Sequence, residues 1–102
     1  MILRKQYLKT KPVCKVTFGL SVEEAGPAET VHLVGEFNNW SKTALPMKKA
    51  KKGSFSVTID LETGKEYAFR YLVDGIHWKN AENADKFSPT PFAGAENSVL
   101  VL

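Results

Sequence analysis

Between residues 55 and 73 the chain alternates apolar and polar side chains with a period of two. Phe55, Val57, Ile59 and Leu61 are interleaved with Ser56, Thr58 and Asp60. After Glu62-Thr63-Gly64-Lys65, Tyr67, Phe69, Tyr71 and Val73 are interleaved with Ala68, Arg70 and Leu72. Successive side chains of a strand point to opposite faces, so this pattern predicts two strands, each with one face buried. Cys14, Val16, Phe18 and Leu20 repeat it earlier, and residues 30–37 read as a further strand ending in the polar loop Asn38-Asn39-Trp40-Ser41. Asp74-Gly75 predicts a two-residue hairpin turn, because both residues tolerate positive φ. Residues 76–79 then return as a strand, residues 80–96 read as a long polar loop, and residues 97–102 close the chain as a strand. No helical period of useful length interrupts the series; residues 21–29 hold one turn at most, broken by Gly26-Pro27.

The chain has 102 residues, 43% hydrophobic and 25% charged, which is ordinary for one globular domain. Short strands with frequent turns at this length predict an all-β, immunoglobulin-like β-sandwich of antiparallel strands over residues 12–102. Residues 1–11 form an N-terminal extension for which an edge strand, a partner-binding arm and a tail are all open.

Several function classes find little support. Cys14 is the only cysteine, which excludes an intrachain disulfide and fits a reducing compartment; a cytoplasmic protein is expected. The N-terminus has no apolar run of signal-peptide length, no stretch reaches the length of a membrane span, and no membrane partner is expected. Cys14 has inward parity and reads as a small core residue. His32 and His77 are the only histidines, with no zinc spacing, so no metal or cofactor is expected; His32 is expected to face solvent. The net charge is +3, and Lys48, Lys49, Lys51 and Lys52 cluster before Gly53. That cluster reads as a solvated hairpin loop rather than a nucleic-acid site, since no aromatic residue is interleaved for base stacking. Glycoside hydrolysis needs two carboxylates about 5–9.5 Å apart. Glu36, Asp60, Asp74, Asp85 and Glu96 are available, but the chain has no room for a catalytic barrel of about 250 residues. No enzymatic activity is expected.

The aromatic residues divide in two. Phe18, Phe55, Phe69 and Tyr71 have inward parity in strands and read as core. Trp40 lies in a polar loop, and Trp78 follows a tight turn between His77 and Lys79. A glucose ring offers apolar C–H faces to an indole and a rim of hydroxyls to cationic and amide donors. Arg70 has outward parity and is a candidate donor. Partly buried packing is the plain alternative for both tryptophans.

VHLVGEFNNW, followed some thirty residues later by FRYLVDG and then a Trp, resembles the family 48 carbohydrate-binding modules. These include the glycogen-binding domain of the AMP-activated protein kinase beta subunit and the N-terminal early set domains of isoamylases. The resemblance spans residues 13–102. It implies an early set β-sandwich that binds α-glucan without catalysis, in partnership with glycogen-metabolising enzymes. Carried over by position, it implies stacking by Trp40 and Trp78, a basic contact from Arg70, an apolar contact from Phe92, and polar contacts from Glu96 and Asn97. The sequence departs from the kinase domain at Gly94, at Glu96, and in one extra residue before Trp78. The competing expectation is a protein-interaction sandwich with Trp40 as an interface anchor.

Overall fold

The computed structural model of the chain describes residues 1–90 and 95–102. It is an antiparallel sandwich of β1 (Ile2–Tyr7), β2 (Val13–Leu20), β3 (Val31–Gly35), β4 (Lys48–Lys49), β5 (Phe55–Glu62), β6 (Glu66–Val73), β7 (His77–Lys79), β8 (Lys86–Pro89) and β9 (Glu96–Val101). One sheet has the order β1-β2-β5-β4; the other has β3-β6-β9-β8, with β7 also paired to β6. The only helical elements among the described residues are the four-residue α1 (Val22–Ala25) and a 3-10 turn at Glu36–Asn38. In α1, Ser21 and Glu24 cap each other's backbone at 2.9 and 3.1 Å, and Gly26, with φ 61°, ends the turn.

The alternation read from sequence places the core. Val16, Phe18, Leu33, Phe69, Tyr71 and Leu100 are fully buried between the sheets. Phe69 meets Phe18 edge-on at 5.0 Å and Tyr71 edge-on at 5.9 Å, the arrangement the ring quadrupole favours. Cys14 is buried as expected, and burial pushes its thiol pKa up.

Both sides of the sandwich are closed. On one, Leu33 N–H donates to the Leu45 carbonyl (2.9 Å) and Met47 N–H to the Val31 carbonyl (2.8 Å), so residues 45–47 extend the β3 sheet. The chain then passes to the other sheet, where β4 pairs with β5. On the other side, β1 is an edge strand paired with β2. The Asn83 side chain bonds both the N–H and the carbonyl of Ile2 at 2.8 Å, and Lys5 pairs with Asp85 at 2.7 Å. These contacts occupy an edge that would otherwise offer unpaired backbone groups.

Several expectations change. β3 stops at Gly35, a position closed to any side chain because a Cβ there would meet the Ala68 carbonyl oxygen at 2.6 Å and Phe37 Cζ at 2.9 Å. The chain turns into the 3-10 segment, and Phe37 folds back onto Phe18 at 5.8 Å. The region expected as a loop over 80–96 contains β8, an edge strand whose Pro89 escaped the strand pattern. His32 is half-buried, bridged to Pro46, rather than facing solvent.

The hairpin after β6 differs in a way that matters for the site. Asp74 and Gly75 have the positive φ values expected, 51° and 71°. The loop nevertheless holds three residues, since Val73 pairs with His77 and Leu72 with Trp78. A two-residue loop would have paired Trp78 with Tyr71 and aimed it at the core. Ile76, 71% exposed, is the residue the turn expels to keep Trp78 on the outer face.

Candidate carbohydrate site

Residues opposite each other in a ladder share a face. Val34 lies opposite Arg70, Leu72 opposite Trp78 and Ser88 opposite Asn97, while Phe69 and Ser98, one step away, point into the core. The outer face of the β3-β6-β9-β8 sheet therefore carries Val34, Arg70, Trp78 and Asn97 together. Trp40 reaches the same face from the loop after β3. These side chains, with Lys42, Thr90 and Ala95, line an open concavity of about 790 Å³. Trp40 and Trp78 are each 39% exposed, whereas the core aromatics Phe18, Phe69 and Tyr71 show no exposed surface.

The Trp40 loop is built from its neighbours. Asn38 Oδ1 accepts from Gly35 N–H at 3.1 Å, and its amide donates to the Leu33 carbonyl at 2.9 Å. Trp40 N–H donates to the Gly35 carbonyl at 2.8 Å. Two successive non-glycine residues then take the left-handed conformation, Asn39 at φ 55° and Trp40 at φ 58°. Asn tolerates this; for Trp it costs about 1–2 kcal/mol. Residues held this way cluster where a side chain must be presented in one place.

On β6 and β7, the Arg70 guanidinium carbon lies 5.5 Å from the Trp78 ring centre, and Lys42 Nζ lies 6.0 Å from it. Each is within cation–π range. Val34, 1% exposed, is the apolar residue at the base. The lining gathers two indoles, a guanidinium, an ammonium, a hydroxyl, an amide and apolar filling.

The structure thus brings Trp40, Arg70, Trp78 and Asn97 together. Phe92 and Gly94 lie outside the described residues. Glu96 has the opposite parity to Asn97 in β9, so of that pair only Asn97 faces the concavity. Sequence reading missed Lys42, Thr90 and Val34. Lys42 carried a usable signal, as a cation two positions after Trp40; Val34 carried only its parity with His32, since an apolar strand residue otherwise reads as core.

The five carboxylates weighed for hydrolysis lie outside this lining. Four have partners in the protein. Glu36 accepts from Ala68 N–H at 2.6 Å, Asp60 pairs with Lys15 at 3.9 Å, and Asp85 with Lys5. Asp74 Oδ1 accepts from Glu29 and Thr30 N–H at 2.8 and 3.0 Å. The Thr30 and Glu29 amides hold the Asp74 carboxyl below its ordinary pKa. Among the described residues, no three His, Cys, Asp or Glu side chains gather as a metal site, and no helix is long and apolar enough to cross a membrane.

Residues 21–98 match the family described as the glycogen recognition site of AMP-activated protein kinase. The chain belongs to that family. The matched span contains Trp40, Arg70, Trp78 and Asn97, which the fold assembles from separate segments. The chain is also 40% identical over 76 residues to Protein PTST homolog 2, chloroplastic, of Arabidopsis thaliana. That alignment covers 74% of this chain but 13% of the plant protein, so the shared part is one module of a much longer polypeptide.

Proposed function

We propose that this glycogen-recognition module binds α-glucan chains without catalysis, by stacking glucose rings on Trp40 and Trp78. The observation that carries this is the convergence of two half-exposed indoles, Arg70 and Asn97 on one outer sheet face. Each ring buries C–H surface against an indole, while the guanidinium and the amide bond the hydroxyl rim. Affinity is modest, because an open platform buries little area and competes with water for every hydroxyl. Membership of the glycogen-recognition family supports the α-linked substrate class. As one module, the domain would tether an attached or associated glycogen-metabolising enzyme to its polysaccharide.

The test is titration of the full chain with maltoheptaose and β-cyclodextrin, followed by tryptophan fluorescence. Binding shifts the emission, and Trp40→Ala abolishes the shift while the fold is retained by circular dichroism. Absence of any response at millimolar sugar sinks this reading and leaves the protein-interaction alternative.

A further inference from the structure

A neutral sugar is served by the two indoles, Arg70 and Asn97; Lys42 is left over. Its ammonium and the Arg70 guanidinium converge on one ring, at 6.0 and 5.5 Å from the Trp78 centre. No carboxylate is among the described residues lining the concavity. Among the described residues the ion pairs use Lys5, Lys15, Lys65 and Lys86, so neither Lys42 nor Arg70 is neutralised. The buried Nε of Arg70 finds no acceptor among them either. Two like charges within reach of one indole raise the positive potential of the concavity, and an uncharged ligand does not offset it. An anion bound in the concavity does.

The geometry points to a phosphorylated α-glucan as the preferred ligand, with a phosphate monoester held by Lys42 and Arg70 while neighbouring rings stack on Trp40 and Trp78. This rests on the α-glucan reading above and adds a charge preference to it. A phosphate monoester carries about −1.5 to −2 charge at pH 7 and accepts paired hydrogen bonds from a guanidinium. The remaining basic cluster is no part of this arrangement. Lys48 and Lys49 sit on β4, in the opposite sheet, and Lys51 and Lys52 follow in the turn to β5.

The experiment compares maltoheptaose carrying one phosphate monoester with unmodified maltoheptaose, by calorimetric titration of the full chain. At low salt the phosphorylated sugar should bind about tenfold more tightly, equivalent to ~1.4 kcal/mol. That advantage should shrink at about 1 M salt, where the screening length is only about 3 Å. Lys42→Gln should weaken the phosphorylated sugar several-fold more than the unmodified one, whereas Lys52→Gln should leave both nearly unchanged. Equal affinity for the two sugars overturns the phosphate preference and leaves the α-glucan reading standing. So does an advantage that Lys52→Gln erodes as much as Lys42→Gln, which marks general attraction to a basic protein. Binding of neither sugar overturns both.

Discussion

The Arg70 guanidinium lies over the Trp78 indole, 5.5 Å from its centre, although eight positions and a hairpin turn separate the two in sequence. This cation–π contact holds the guanidinium beside the indole before ligand arrives, which limits the ordering cost of binding. Arg70→Lys keeps the charge but loses the planar fork and much of the stacking, so it is not conservative here. It should weaken maltoheptaose binding by roughly 1 kcal/mol, about fivefold, with Arg70→Ala weaker still. Calorimetric titration of the two variants checks this. Equal losses from Arg70→Ala and Lys51→Ala would show that only diffuse charge matters.

Trp40 sits in the left-handed region at φ 58°, so its ring and its backbone are separable. Trp40→Gly and Trp40→Ala should abolish glucan binding alike, since both remove the stacking surface. Their stabilities should differ, with Trp40→Gly the more stable by about 1 kcal/mol because glycine takes positive φ without steric cost. Urea denaturation midpoints of the two variants measure the gap.

Gly35 lets Phe37 fold back onto the core and so sets where the Trp40 loop begins. A Cβ there would stand 2.6 Å from the Ala68 carbonyl oxygen and 2.8 Å from Phe69 Cβ. Backbone cannot yield as a side-chain tip can. Gly35→Ala should therefore destabilise the fold by about 1–3 kcal/mol and loosen the loop that presents Trp40. Thermal unfolding, together with tryptophan emission of the folded variant, reports both effects.

Asp74 joins the β6–β7 turn to residues 29 and 30 through its carboxylate. Those amides favour the charged form, so its folded pKa lies below the ordinary 3.8. A depressed carboxyl contributes stability above the unfolded value and loses it as pH falls through the folded one. The denaturation midpoint gap between the wild type and Asp74→Asn should be present at neutral pH and close below about pH 4, near the ordinary Asp pKa. A gap that persists unchanged in acid would assign the stabilisation to turn geometry alone.

The strands of the core were legible because a buried face writes itself as a period of two, in β2, β5 and β6 alike. Phe18, Phe69 and Tyr71 followed from parity alone. β8 was not legible, because its four residues are polar or half-exposed and end in proline at a sheet edge. Arg70 was picked out by its outward parity, Trp40 and Trp78 by their loop and turn placement, and Asn97 by the family pattern alone. Their meeting in one concavity was beyond parity, and Lys42 and Val34 entered the site unannounced.

The sequence by itself determined the sandwich and the inward set of side chains, since alternation is a local property that each strand carries within itself. The tertiary structure alone decided the register of the β6–β7 hairpin. Asp74-Gly75 is compatible with a two-residue or a three-residue loop, and the choice reverses the face on which Trp78 emerges. Pairing of the whole strand, with Trp78 opposite Leu72 and Ile76 expelled, settles that choice, because cross-strand contacts and burial are summed over the ladder rather than over the turn.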